Sequence, residues 1–236
     1  MQDPPRKRTH RHTLASFLAV MGKVAFDQNI ARVDALGDLY ASLPRALKGR
    51  SSGGGVDVLR AGVVLLHASL EDFLRQVALS RIPDGAEDAF AKIPLAGCTS
   101  GEKFTLADLT RFRGDTIQEV LTKSVRQHYA SKVTFNSVPQ IEDVLKRCGL
   151  RQDRVKRFYP ALGAMMARRH DIVHRADVVD SSHGPQSLSA SKVQSWSSAT
   201  RRFGHTLLAE MSELRLVDLS RDTDVIFKPP RPSKRR

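Results

Sequence analysis

Apolar residues recur at three- and four-residue intervals along most of the chain, which is the spacing of helices that bury one face. The pattern predicts a long helix over residues 14–43, with a break near Gly22, and a strongly apolar helix over residues 56–81. The connector between them, residues 44–55, ends in Ser51-Ser52-Gly53-Gly54-Gly55, a composition typical of a turn. The run Val63-Val64-Leu65-Leu66 predicts that the second helix is buried on more than one side.

The remainder of the chain predicts further helices, and cap residues mark their ends. Thr105 is a suitable N-cap for a helix that Gly114 interrupts, and Ser137 with Pro139 starts another that stops at Cys148-Gly149. A helix cap near Ser189 begins the last one. These helices are predicted over residues 105–130, 137–147, 152–179 and 189–216.

No stretch keeps the alternating pattern of a strand, so the predicted fold is all-α. It is a bundle of about four long helices with additional N-terminal and connecting helices. We divide the chain by composition and pattern into four regions. These are a basic disordered arm over residues 1–12, a helical extension and linker over 13–55, the main domain over 56–217, and a Pro-rich basic tail over 218–236.

The net charge of +13 is concentrated at the two ends of the chain. The segment 1–12 carries +3 and the segment 228–236 carries +5, which leaves +5 for everything between them. A basic excess suits a polyanionic partner such as RNA. Disordered, soluble ends explain the same charge equally well, so charge alone does not assign a function.

Several classes of protein fit the sequence poorly. No apolar run approaches the roughly 18 residues that span a bilayer, and the N-terminus lacks the apolar core of a signal peptide. Cys98 and Cys148 lie far apart and in no metal-binding spacing, so we expect free thiols in a reducing cytoplasm. The connectors do not suit the tight helix-turn-helix of a DNA-binding regulator. We therefore expect a cytoplasmic protein with no membrane partner.

The segment 167–177, Ala-Arg-Arg-His-Asp-Ile-Val-His-Arg-Ala-Asp, is rich in ionisable residues inside a helix that otherwise has an apolar face. His170 and His174 share one side of this helix. Arg169 and His174 are about 140° apart around the axis and about 7.5 Å apart along it, so a second helix or a second copy would have to complete a site. The alternative is a solvent-exposed, charged helix face without a function. Asp171 would then pair with Arg175, and this ion pair would stabilise the helix by only tenths of a kcal/mol.

Arg169-His170-Asp171-Ile172-Val173-His174 resembles the Arg-x4-His signature of the HEPN superfamily. The longer string over residues 168–177 is similar to the version in the RiboL-PSP group of HEPN proteins. The segment Phe135-Asn136-Ser137-Val138-Pro139-Gln140-Ile141, with Cys148-Gly149-Leu150 after it, also resembles that group, as does Leu70-Glu71-Asp72-Phe73-Leu74-Arg75. The resemblance covers roughly residues 56–216.

This resemblance implies an endoribonuclease that needs no metal and no cofactor. It also implies a homodimer in which two motif helices face each other and form a composite cleft. His174 would act as general base or acid and Arg169 would stabilise the charge of the transition state. Expected products are a 2′,3′-cyclic phosphate or 3′-phosphate and a 5′-hydroxyl. Histidine and arginine are chemically suited to these roles.

The same segment offers supporting candidates. His170 either orients the phosphate or is a surface or interface histidine, and Asp171 pairs with Arg175 or has a further role. Arg168 is a second choice for the role of Arg169. Glu71 either orients the motif or fills a structural role, which we favour. The neighbouring His67 is interpreted as a packing histidine. His170 and His174 have the spacing of metal ligands, but no third ligand is evident.

Two functions remain open at this point. The first is an RNase, as a toxin or phage-defence effector that has an antitoxin or a defence-system protein as a partner. The second is a non-catalytic HEPN module that binds RNA or scaffolds a complex. Some HEPN toxins carry a tyrosine two residues after the histidine, which their antitoxin modifies. That position is Ala176 here, which argues against this form of control.

Overall fold

The computed structural model describes residues 6–44, 47–48, 54–98, 104–131, 133–178 and 185–226, without the side chains of residues 6–21, 131 and 215–226. Most of the described residues are helical, and none of them lies in a strand. The predicted all-α bundle is therefore confirmed. The α-helices are α1 (Arg6–Ser42), α2 (Gly54–Arg81), α3 (Glu87–Phe90), α4 (Leu106–Leu109), α5 (Ile117–Ser131), α6 (Val138–Arg147), α7 (Tyr159–Arg175) and α8 (Ala190–Ile226).

Helix α2 lies at the centre of the bundle and packs against α1, α5, α6, α7 and α8. Its Val63, Leu66, Leu70 and Leu74 side chains are fully buried, as the predicted burial on several sides requires. Burial of this apolar surface, at roughly 25 cal/mol per Å², is the main force that holds the surrounding helices in place. Helix α7, the motif helix, carries Arg169 and His174 and is one of these surrounding helices. Its residues are therefore positioned relative to α2.

Helix α1 belongs to the bundle, although residues 13–55 were predicted to form an extension outside the main domain. Phe26, Ile30 and Val33 are buried in the common core. The Phe26 and Phe73 rings lie 4.5 Å apart, centroid to centroid. The predicted break at Gly22 is absent, because α1 continues through it. The second half of α1 therefore helps to complete the hydrophobic core.

The two ends of the chain are more helical than predicted. Helix α1 begins at Arg6, inside the predicted arm, and α8 continues to Ile226, inside the predicted tail over 218–236. No glycine or proline occurs over residues 6–21 or 205–226, so nothing in the local sequence stops either helix. The remaining parts of the predicted arm and tail lie outside the described residues.

Cap residues identify most of the other boundaries. Thr105 caps α4 through a capping box with Asp108. The helix predicted over 105–130 is split after α4, where Gly114 adopts a φ of 92°. Pro139 lies in the first turn of α6, which ends at Arg147 and is followed by the left-handed Gly149. The Ser189 hydroxyl accepts from the Lys192 backbone N–H at the start of α8.

The helix predicted over 152–179 is shorter in the structure. Helix α7 starts at Tyr159 and ends at Arg175, where Ala176 (φ 48°) and Asp177 (φ 63°) turn the backbone into the left-handed region. Neither is a glycine, so the sequence carries no conventional stop signal there. The cause is a tertiary contact of Asp177, described below.

Both cysteines are free thiols, as predicted; Cys148 is buried and Cys98 is partly exposed. Burial raises the pKa of the Cys148 thiol to about 12, so its reactive thiolate form is scarce at neutral pH. Among the helices of the described residues, none is both long and apolar enough to cross a membrane.

Candidate active site on helix α7

Helix α7 presents its two histidines to solvent on one flank. His170 and His174 are both exposed, and their ring centroids lie 4.6 Å apart with the planes tilted by 46°. This is the i,i+4 neighbourhood that the sequence predicted. Neither ring is held by a hydrogen bond in the described part of the chain, so both can meet a ligand without breaking a hydrogen bond.

Arg169 lies on the side of α7 that faces the core. Its side chain is partly buried, and its Nε atom is buried without a hydrogen-bond partner among the described residues. A buried guanidinium N–H without an acceptor costs on the order of 1–3 kcal/mol. An anion bound beside this atom would supply the missing acceptor.

Arg169 is within electrostatic reach of a buried histidine on α2. His67 is 1% exposed, and its Nε2–H donates to the carbonyl oxygen of Phe135 over 3.1 Å. Burial lowers the pKa of His67, the nearby Glu71 carboxylate and the Phe135 bond oppose that change, and the positive charge of Arg169 lowers the pKa further. The structure thus agrees with the interpretation of His67 as a packing histidine.

Glu71 fixes the segment that precedes α6. Its Oε1 accepts from the Phe135 backbone N–H over 3.1 Å, and the same oxygen lies 3.7 Å from Arg75 Nη2. Its Oε2 lies 3.9 Å from His67 Nδ1. His67 and Glu71 together therefore engage both backbone polar groups of Phe135.

Arg168 points to the opposite flank, where its guanidinium has several partners. Its Nη2 donates to Asp177 Oδ2 over 2.8 Å, and its Nε lies 2.8 Å from Asp177 Oδ1 as an ion pair, although these two atoms do not meet the geometry of a hydrogen bond. The same guanidinium donates to the side chain of Gln186 and to the backbone oxygens of Gln186 and Ser187. These contacts give Arg168 a structural role, so it is a weaker candidate than Arg169 for contact with a substrate.

Asp177 is completely buried between two guanidinium groups. Besides Arg168, it accepts from Arg60 Nε over 2.7 Å. Desolvation lowers the pKa of Arg60, but hydrogen bonds and attraction from Asp177 and Asp57 outweigh it, so the pKa of Arg60 is raised. This cluster was not predicted from the sequence. A signal was available, because Arg60 interrupts the buried face of the most apolar helix.

Asp171 and Arg175 form the predicted i,i+4 pair only loosely. The closest approach is 3.9 Å, between Arg175 Nη1 and Asp171 Oδ1, which is too long for a hydrogen bond. The Arg175 side chain is 59% exposed. An exposed pair of this kind contributes at most about 0.5 kcal/mol, so Asp171 is available to other partners.

Within one copy of the chain, α7 brings His170 and His174 together but not Arg169 and His174, which emerge on different flanks. Among the described residues, no three histidine, cysteine, aspartate or glutamate side chains form a cluster that could hold a metal ion. The chemistry available on α7 is therefore that of two exposed imidazoles and a partly buried guanidinium whose Nε has no hydrogen-bond partner among the described residues.

An all-helical bundle is the fold expected of a HEPN domain. The Arg-x4-His segment is expected near the end of a helix that packs against the centre of the bundle, as α7 packs against α2. The family model described as RiboL-PSP-HEPN matches residues 27–208, which include α7 and all of the site residues described in this section. The chain belongs to this family. Searches of curated proteins and of solved structures found no match.

The family match also shows how far the similarity extends. It begins at residue 27, inside α1, whereas the resemblance noted in the sequence covered roughly residues 56–216. The buried residues of α1 explain the difference, since the core is incomplete without them. Membership supports a HEPN-type module that cleaves or binds RNA.

Proposed function

We propose that the chain is a metal-independent endoribonuclease in which Arg169 and His174 carry the reaction. The observation that supports this most directly is the state of Arg169. Its Nε is buried and without a partner, on the same helix that exposes two unconstrained imidazoles. A bound phosphodiester would supply the missing acceptor, because arginine's planar donors match phosphate oxygens.

The proposed reaction is an internal transesterification. His174 takes the proton from a ribose 2′-OH, and O2′ forms a bond to the adjacent phosphorus while the bond from phosphorus to O5′ breaks. O5′ leaves with a proton from an acid. The products are a 2′,3′-cyclic phosphate and a 5′-hydroxyl. Arg169 offsets the extra negative charge of the phosphorane, and general base catalysis contributes about 10²–10⁴-fold.

A homodimer would bring the two flanks of α7 into one cleft. One copy's His174 would act as base and the other's as acid, with Arg169 beside the phosphate. The exposed flank of α7 supports this arrangement, because Val173 is 46% exposed between the histidines and the core. An apolar side chain in that position is suited to contact with a second copy of the helix.

A toxin or phage-defence role in the cytoplasm, with an antitoxin or defence protein as partner, is the biological setting that we propose for such an RNase. The second candidate function is an RNA-binding module without catalysis. The separation of Arg169 and His174 around α7 favours it if the chain stays monomeric, since one copy then offers only half of the catalytic groups.

The test is cleavage of a mixed RNA pool in EDTA. We expect the wild type to cut and to leave 2′,3′-cyclic phosphate ends, and both Arg169→Ala and His174→Ala to lose at least about 100-fold in rate. The matched controls are Arg126→Ala and His205→Ala, which change exposed side chains on α5 and α8. RNA with 2′-O-methyl groups must remain intact. Equal cleavage by the two α7 variants, or no cleavage by the wild type, contradicts the proposal.

A further inference from the structure

A cavity of about 570 Å³ opens on the flank of α7 that faces α1 and the start of α8. It lies beside Asp171, three residues before His174, and contains neither Arg169 nor His174 in its wall. Its volume is in the range of small-molecule sites. The lining residues are Tyr40, Val56, Ala164, Arg168, Asp171, Ser187, Leu188, Ser189, Lys192 and Trp196.

The wall of the cavity combines an apolar floor with two available charges of opposite sign. Val56, Leu188 and Trp196 supply the floor and are each less than 10% exposed. Asp171 is bound only loosely by Arg175, and the Lys192 ammonium lies 5.5 Å from the centroid of the Trp196 ring. The charge of Arg168, by contrast, is balanced by Asp177. A ligand therefore meets one carboxylate, one ammonium and an aromatic surface.

We propose that this cavity binds a guanine base of the RNA strand, an inference that rests on the proposed function and adds a specificity site to it. Guanine presents two adjacent N–H donors, N1–H and the 2-amino group, which suit the two oxygens of the Asp171 carboxylate. Its O6 and N7 acceptors suit the Lys192 ammonium. The flat ring packs against the apolar floor.

The other three bases match this wall less well. Adenine offers the carboxylate one amino group beside an unprotonated ring nitrogen, and cytosine has the same limitation. Uracil places its single imino N–H between two carbonyl oxygens, which repel a carboxylate. Only guanine pairs both oxygens of Asp171 with donors. Asp171 and Lys192 together thus select guanine over the other three bases.

The location relative to His174 suits a base that neighbours the reacting phosphate. Asp171 and His174 lie about 60° apart around α7 and about 4.5 Å apart along its axis. A strand that crosses this helix can therefore present a phosphate to His174 and place an adjacent base in the cavity. Arg169, on the far side, contacts neither the base nor the cavity.

Trp196 makes the test direct, because it is the single tryptophan of the chain. Titration with GMP and with guanosine, followed by tryptophan fluorescence, should give a saturable change. AMP, CMP and UMP should bind at least about tenfold more weakly, since they lose the paired contact to Asp171. A response of equal affinity to all four nucleotides would reflect phosphate binding and would overturn the proposal, as would no saturable response to GMP.

The matched pair of variants is Asp171→Asn and Asp153→Asn. Asp153 is exposed on the segment before α7 and should leave GMP binding unchanged, whereas Asp171→Asn should weaken it at least about tenfold. Unchanged binding by Asp171→Asn overturns the proposal. The assay needs no RNA cleavage, and His174→Ala should bind GMP like the wild type. Loss of the RNase function with retained GMP binding would therefore contradict the proposed function alone.

Discussion

Asp177 lies completely buried against Arg168, nine residues earlier in the chain, and this contact ends the motif helix. Its two oxygens lie 2.8 Å from Nε and Nη2 of Arg168, and Arg60 approaches the same carboxylate from α2. The left-handed backbone at residues 176 and 177 is what allows the carboxylate to turn back under α7. Aspartate tolerates this conformation better than most residues. The cluster therefore joins the end of α7 to the centre of the bundle.

Removal of the Asp177 charge should destabilise the fold strongly. Asp177→Ala leaves two guanidinium groups buried without their anion, and the free energy of unfolding should fall by about 3–5 kcal/mol. Urea denaturation measures it, with Asp153→Ala as the exposed control that should change stability by less than about 0.5 kcal/mol. A decrease below 1 kcal/mol for Asp177→Ala would show that the cluster is not a structural anchor.

The two adjacent arginines should respond to substitution in opposite ways. Arg168→Ala removes the hydrogen bonds to Asp177, Gln186 and Ser187 and should cost at least about 3 kcal/mol of stability. Arg169→Ala removes a buried N–H without a partner, so the melting temperature should stay the same or rise. Thermal unfolding of both variants at pH 7.5 checks this. A larger loss for Arg169→Ala than for Arg168→Ala would contradict the assigned roles.

His67 should make the fold sensitive to mild acid. Its pKa is lowered in the folded state, so the unfolded chain binds the proton more readily. Stability is therefore full above the unfolded pKa of about 6.5 and decreases as the pH falls from there toward the lower folded pKa. His67→Gln, which can still donate to Phe135, should flatten the dependence of the free energy of unfolding on pH below about 6.5.

Part of the acid sensitivity should remain in His67→Gln, because burial also lowers the pKa of His128, followed by a smaller effect of Arg147. The double variant with His128→Gln should be flatter still. Urea denaturation at a series of pH values measures both effects. An unchanged slope in His67→Gln would mean that its burial has no energetic consequence.

A charge at position 173 should block the proposed dimer. Val173 is 46% exposed in the single chain, so Val173→Glu should change the stability of the monomer by less than about 0.5 kcal/mol. In a dimer, two carboxylates would be forced together. Sedimentation analysis should find the wild type dimeric and the variant monomeric, with RNA cleavage lost in parallel. Val24→Glu, on α1, is the control at a similarly exposed valine.

Local patterns sufficed to predict most of the fold. The three- and four-residue spacing located α2 and α8, and Thr105, Pro139 and Gly149 marked ends that the structure contains. These signals are local, since a cap or a glycine acts within one turn. The family resemblance in residues 168–177 was also readable from sequence, and the family match confirms it.

Tertiary contacts account for what the sequence did not predict. The sequence predicts that helix α7 continues to residue 179, whereas it ends at Arg175. Its end depends on the contact of Asp177 with Arg60, which is 117 residues away in the chain. The place of α1 in the core depends on contacts with α2 and α8. The different environments of Arg168 and Arg169 depend on which flank faces the core. None of these relationships is encoded in residues close together in sequence.

The contact between Phe26 and Gly204 has a consequence for how relatives of this chain can differ. A Cβ atom at position 204 would overlap the Phe26 ring, so α8 and α1 approach closely only because the residue there is glycine. We expect these two positions to covary, with glycine retained wherever an aromatic residue stands at position 26. Relatives with a larger residue at 204 should carry a small one at 26, and an alignment of the family will show whether that exchange occurs.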